Sequence, residues 1–518
     1  MNEGRTGKAI KNSEYAILSK ILETVLAFIL RSVFIRCLST VYLGLNGIFT
    51  NVLQVLSLME LGLGSAIAFS LYKPLADNDQ SKIVALMDLY RKLYRNIGIL
   101  ICVVGFCLTP FLKFIITLPE EVPHIYIIYW LNMGNTAITY FVAYKRTLLI
   151  ADQRLYINYQ NNIIFKFTRF FILLGILIFT HNFILYLALD ILNTFISNVV
   201  ISLKVNKMYP YLMEYKDVSL EKEEKKNIWK YMRAGILNKI GQTVVTSTDN
   251  IVISSFISTI TVGLYSNYLL LISGVETFVY TLFSNLTSSV GNIAAGEEKD
   301  IKKIKSIFNI LQTINHMVST VACVGLAALA NCFIELWLGK DYLLPIITIY
   351  ICIMNLYITL NTNSISNFMG ARGDMYYINR FRPIIEAIVN LSVSIILVKF
   401  TKLGLNGVFL GTLASFLCGR IWMDAHTLYK YWFKENFFFY IVDYLKKLLF
   451  TVAVSALCIF ICNSLRSLLG LNVLTFILMM VVVLVITITL LYLVYRETES
   501  MAFIKNLIMK KFKIGKKS

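Results

Sequence analysis

Apolar residues in this chain come in long blocks rather than in the alternation of a half-buried strand. Runs of about 20–28 residues, separated by short polar breaks, are long enough to cross some 30 Å of hydrocarbon as helices. The pattern predicts about fourteen spans: 14–38, 43–71, 93–117, 124–149, 160–180, 182–205, 230–257, 261–290, 305–331, 344–370, 380–400, 404–431, 441–463 and 470–495. The expected fold class is an all-α integral membrane protein, because a lipid-embedded backbone must satisfy its own hydrogen bonds.

The breaks orient these spans. Cations collect at every second break: Lys73 to Arg95, Lys145 to Arg154, Lys204 to Lys230, Lys299 to Lys305, Arg372 to Arg382 and Lys430 to Lys447, with Arg5, Lys8 and Lys11 ahead of the first span and a basic tail behind the last. The alternate breaks, such as Thr117 to Pro123 and Thr180 to Asn182, are short and cation-poor. Lys/Arg enrichment on the cytoplasmic side then puts both termini in the cytoplasm. Lys399, Lys402 and Arg466 run against the pattern. Within the first basic break, Ser81–Arg95 reads as a short amphipathic helix lying at the interface, with Ile83, Leu86, Tyr90 and Leu93 on one side. The first apolar run is full length behind a polar leader, which reads as a retained span rather than a cleaved signal.

Composition agrees. The 518 residues are 57% hydrophobic and 15% charged, with mean hydropathy +0.68, against about 25% charged in soluble domains. The net charge of +19 belongs to the loops, so it argues for orientation and anionic lipid rather than nucleic acid. The nine cysteines lie in apolar runs without metal spacing and read as small buried hydrophobes. The four histidines are scattered, so no metal and no cofactor is expected. No phosphate-cradling loop, nucleophile elbow or zinc-protease motif occurs, which argues against an enzyme.

A weak repeat places Tyr156–Asn158 and Tyr377–Asn379 at corresponding junctions six spans apart. It divides the chain into an N-terminal six-helix lobe (1–226), a C-terminal six-helix lobe (227–435) and two extra spans with a basic tail (436–518). Such symmetry is common in transporters, with a site between the halves.

Polar residues inside spans are expensive and need a partner, a wet cavity or a task. The first span holds Lys20, Glu23, Arg31 and Arg36. Lys20 and Arg31 share a face roughly 16 Å apart in depth; Lys20 can instead pair with Glu23, and Arg36 can snorkel outward. Lys239, Thr243, Thr246 and Asn250 form a stripe on the seventh span, beside Asp249, facing a cavity or polar partners. Asn355 and Thr359 head a stripe on the tenth that suits sugar recognition or helix–helix hydrogen bonding. Glu60, Asp249 and Glu276 are candidate ion-coupling carboxylates, and Arg420 and Asp424 sit i,i+4 as a self-neutralising pair.

The segments Met59–Ala68 (MELGLGSAIA), Leu71–Ala76 (LYKPLA), Ser247–Ser254 (STDNIVIS) and Val262–Tyr268 (VGLYSNY) resemble those of the polysaccharide transporters, the oligosaccharide repeat-unit flippases of the multidrug/oligosaccharidyl-lipid/polysaccharide exporter superfamily. The resemblance implies two six-helix lobes about a central cavity, opened alternately to each side of a bacterial plasma membrane. It implies an undecaprenyl-diphosphate-linked oligosaccharide as substrate, with membrane lipids, a polysaccharide polymerase and glycosyltransferases as partners. Arg31 and Arg36 match diphosphate-binding arginines in kind and position, and the last two spans match a lipid-tail groove. A cation-coupled drug or metabolite exporter of the same superfamily is the alternative, and a polytopic polymerase a more distant one.

Overall fold

The computed structural model describes residues 5–56, 63–116, 122–214, 220, 247–284, 301–372 and 378–505. Helices dominate them and no strand occurs among them. In chain order the main helices are α1 (Arg5–Cys37), α2 (Thr40–Leu56), α3 (Leu63–Asp77), α4 (Gln80–Leu108), α5 (Ile125–Val142), α6 (Arg146–Ala151), α7 (Leu155–Thr180), α8 (Phe183–Met208), α9 (Thr259–Ser284), α10 (Ile301–Leu338), α11 (Ile346–Arg372), α12 (Arg382–Phe400), α13 (Leu405–Cys418), α14 (Met423–Leu428), α15 (Phe438–Leu469) and α16 (Val473–Tyr495). Among the described residues, ten helical stretches are long and apolar enough to cross a membrane, and α2 is a shorter apolar helix. The chain is a multi-pass membrane protein.

It divides into two compact units, Met1–Gly263 and Leu264–Ser518. In the first, α1 packs along α7, α7 along α8, and α5 against α4 and α8. In the second, α12 pairs with α13, and α10 is flanked by α11, α15 and α16. The last two helices, α15 and α16, therefore share this unit's core, where Val324 and Cys332 meet Val454, Cys458, Cys462, Met479 and Val483.

Local chemistry sets the helix ends. Asn182 and Asn472 cap α8 and α16, accepting from Leu185 N–H (3.0 Å) and Thr475 N–H (2.9 Å), and Asp79 caps α4 through Lys82 N–H (2.9 Å). The start of α7 is capped from outside: Asn12 of α1 accepts from Tyr156 N–H (2.7 Å) and donates to the Gln153 carbonyl (3.0 Å). Glycine permits one close approach within the first unit. A Cβ on Gly44 would lie 2.2 Å from the Thr259 carbonyl oxygen, and one on Gly263 2.5 Å from that of Thr40.

Three expectations change. Ser81–Arg95 is amphipathic, but it is the first half of the continuous helix α4. Its apolar residues Ile83, Leu86 and Tyr90 are buried against Leu63, Ile67, Leu148 and Val205 rather than spread on a membrane surface, because protein supplies the apolar contact there. Of the cysteines, Cys323, Cys332, Cys352, Cys458 and Cys462 are buried, whereas Cys107 and Cys418 are exposed. Arg466, one of the three cations that run against the loop pattern, is paired with Glu335 at 2.7 Å.

Candidate functional site

A charged concavity of the first unit lies among α5, α6, α7 and α8. It is a pocket of about 160 Å³ whose wall includes Thr139, Arg146, Asn162, Lys166, Arg169, Asn193, Ser197 and Asn198. Helical periodicity explains the convergence. Asn162, Lys166 and Arg169 recur at i, i+4 and i+7 on α7, and Asn193, Ser197 and Asn198 occupy one face of α8. The packing of α7 on α8 turns these two polar stripes toward each other and away from lipid.

Two of the three cations are held by carboxylates. Arg169 grips Asp190 with both prongs, Nε to Oδ1 at 2.5 Å and Nη2 to Oδ2 at 3.0 Å. Lys166 reaches Glu23 of α1 at 2.8 Å. Lys20 lies 3.8 Å from the same Glu23 carboxylate, so the expected i,i+3 pair forms but is secondary to Lys166. Among the described residues Arg146 is held by an amide oxygen, Asn198 Oδ1, at 2.6 Å, and by no carboxylate. Three cations line the pocket against two carboxylates, which leaves positive charge in excess.

The donor balance is also uneven. Arg146 Nε and Asn198 Nδ2 are buried N–H donors without a hydrogen-bond partner among the described residues. Such groups are rare and costly, at about 1–3 kcal/mol each, more for a charged one. The amide of Asn161 is better served, donating to Ser197 Oγ at 2.9 Å. Positive charge, unspent N–H donors and a rim of amides and hydroxyls suit an anionic, oxygen-rich ligand.

The second unit holds its own charge cluster. Arg382 contacts Glu386 Oε1 at 3.0 Å and Asp424 Oδ1 at 3.1 Å, and Arg420 contacts Glu386 Oε2 at 3.5 Å. Asn379 donates to Asp424 at 2.5 Å, and Arg420 stacks on Phe416 at 4.3 Å. Arg420 and Asp424 therefore form no direct ion pair with each other among the described residues, although their charges still interact. The helix breaks between α13 and α14 at 419–422, so the i,i+4 geometry is lost and each turns to α12.

The predicted residues separate as follows. Arg31 sits on α1 in electrostatic contact with Tyr186, which also faces Arg169 and Asp190 at the edge of the first cluster. Arg36 is exposed in the last turn of α1, where a cation complements the helix dipole. Asn250 is buried in residues 247–256, its Oδ1 without a partner among the described residues, and Asp249 is next to it. Asn355 donates to the Phe409 carbonyl (3.0 Å), while Thr359 accepts from Arg420 (3.3 Å) and so joins the second cluster. Glu276 faces Arg420 electrostatically. Lys239, Thr243, Thr246 and Glu60 lie outside the described residues. Lys166, Arg169 and Asp190 escaped the sequence reading, although each is a charge inside an apolar run and the rule applied to the first span would have found them.

No family model and no curated protein matches this chain. Solved structures do match. The lipid II flippase MurJ in an inward closed conformation aligns with TM-score 0.63 at 14% identity, over 93% of this chain and 99% of that one. An inward-facing multidrug resistance MATE family transporter of the MOP superfamily aligns with TM-score 0.61 at 15% identity, over 85% and 98%. An outward-facing one gives 0.57 at 15%, over 82% and 96%. At such identities the likeness establishes a shared fold.

Proposed function

We propose that this protein turns a phosphate-bearing, lipid-linked oligosaccharide across the membrane by alternating access. The observation that carries this reading is the first-unit pocket. Its excess cations and the unpartnered donors of Arg146 and Asn198 match phosphate oxygens, and the surrounding amides and hydroxyls match sugar. The solved structure named as a lipid II flippase, which shares the fold over nearly the whole chain, supports it further. The diphosphate would engage Arg146, Lys166 and Arg169, with Lys20, Arg31 and Arg36 along its path. Asn250, Lys239 and Thr246 of the first stripe, and Asn355 and Thr359 of the second, would meet the glycan, while Glu60, Asp249 and Glu276 remain the coupling carboxylates. In this reading the host membrane is a bacterial plasma membrane and both termini are cytoplasmic. The chain's division follows as 1–226, 227–435 and 436–518. A polysaccharide polymerase and glycosyltransferases would act on the same lipid-linked glycan.

A cation-coupled exporter is the second reading. Glu276 favours it: the carboxylate faces Arg420 yet forms no ion pair among the described residues. Deleting the protein from its host and extracting lipids separates the two. Accumulation of undecaprenyl-diphosphate glycan supports the flippase; unchanged glycan lipids with altered drug sensitivity would sink it.

A further inference from the structure

The two carboxylates that answer the cations of the first pocket are held in different ways. Asp190 accepts from Arg169 through both oxygens, at 2.5 and 3.0 Å, and is 11% exposed. Glu23 reaches Lys166 through one oxygen, Oε2, at 2.8 Å, and is 47% exposed. The same Oε2 lies 3.8 Å from Lys20, and the charge of Glu23 also reaches Arg169. Asp190 is fixed in the wall, whereas Glu23 is shared between two lysines and open to exchange.

The backbone beneath Glu23 is pinned. Asn12 of α1 joins the start of α7 through Tyr156 N–H (2.7 Å) and the Gln153 carbonyl (3.0 Å), and the rings of Tyr15 and Tyr156 meet beside that joint at 6.3 Å. From there Glu23 is eleven residues along α1 and Lys166 ten residues along α7, about 15–16 Å on each helix. The two helices therefore keep step, and α1 packs along α7. Lys20 and Glu23 are i,i+3 neighbours on α1, so a turn of the carboxylate from Lys166 to Lys20 is a change of side-chain rotamer, with the helix left in place.

We propose that Glu23 is the release residue of the transport cycle: it exchanges between Lys20 and Lys166 and so displaces the ligand's phosphate from the pocket. A tethered anion acts as a competitor at high effective concentration. In the empty site it neutralises Lys166, whose charge is costly to leave unpaired inside a membrane. Arg146, which no carboxylate holds among the described residues, offers the incoming phosphate its first contact. The phosphate then takes Lys166 from Glu23, and Lys20 receives the displaced carboxylate, so the exchange strands no charge. When Glu23 returns to Lys166 the ligand loses that contact, which shortens its stay. The proposal rests on the phosphate reading of the pocket and adds how the ligand is let go.

The test is a binding cycle with farnesyl diphosphate on the full chain, purified in detergent at fixed ionic strength. Glu23→Gln keeps an amide beside Lys166 and removes the competing charge, so affinity should rise by about two- to fivefold, the range of a partly exposed ion pair. Lys20→Met removes the receiving cation, so Glu23 stays on Lys166 and affinity should fall by a similar factor. In the Glu23→Gln background the same Lys20→Met change should have little effect, because no displaced carboxylate is left to receive. Unfolding temperatures establish that each variant is folded. In the host, Glu23→Gln should export surface polysaccharide more slowly despite its tighter binding, a split that a purely structural glutamate would not produce. Glu23→Gln that binds no tighter than wild type, or that exports at the normal rate, overturns the proposal. So does Lys20→Met that weakens binding equally in both backgrounds, the behaviour of a cation that simply attracts the ligand. Wild type that binds no farnesyl diphosphate overturns the phosphate reading itself, and the proposal with it.

Discussion

The Arg169–Asp190 pair separates binding from mere stability. Its two contacts, 2.5 and 3.0 Å, tie α7 to α8 across the pocket wall, with the guanidinium 41% exposed and the carboxylate 11% exposed. Arg169→Met strands the Asp190 carboxylate in a mostly buried place. Breaking a fully buried pair costs about 3–5 kcal/mol, and the exposed guanidinium brings the expected loss down to about 1–3 kcal/mol. Adding Asp190→Leu removes the stranded charge, so the double variant should recover most of that loss. Chemical or thermal unfolding in detergent, followed across the double-mutant cycle, reads the coupling. Export, followed as surface polysaccharide in the native host, should stay impaired in the double variant because the pocket has lost a cation. Full export by a stably expressed double variant would refute the placement of Arg169 against the ligand. A single Arg169→Met variant as stable as wild type would refute the energetic argument.

Arg146→Gln should abolish export with little loss of stability, since it keeps an amide opposite Asn198 and removes only charge and an unpaired donor; normal export would contradict the pocket assignment. Arg382→Leu should destabilise more than Arg420→Leu in unfolding experiments, because Arg382 contacts two carboxylates at 3.0 and 3.1 Å whereas Arg420 contacts one at 3.5 Å. Gly44→Ala places a methyl 2.2 Å from the Thr259 carbonyl oxygen and should cost about 1–3 kcal/mol by overpacking. Gly134→Ala meets nothing within 4 Å and should stabilise by up to about 1 kcal/mol, measured by the same melting assay. Asn12→Ala should cost about 1 kcal/mol by leaving the first turn of α7 uncapped, and proteolysis of the 152–156 turn should quicken.

Apolar run length and loop charge, both local properties, carry the membrane character, the helical class and the approximate positions of most spans. The bilayer allows few ways to satisfy a backbone, so hydropathy alone comes close to a structure. Asn355 and Asn250, two polar positions that the same rule singles out, are buried. Partner choice was another matter. Lys166 pairs with Glu23 across 143 residues and Arg169 with Asp190 across 21, distances at which spacing carries no information. The i,i+4 rule assigned Arg420 to Asp424, and a break in the helix at 419–422 sent them to different partners. The amphipathic stretch at 81–95 was legible as amphipathic, but whether lipid or protein covered its apolar side depended on α3 and α6 arriving beside it. Sequence periodicity says which residues share a face, and burial cost says that a polar face needs an answer. Only the packing of α7 on α8, and of α12 beside the α13–α14 break, decides which charge supplies it and which donors are left for a ligand.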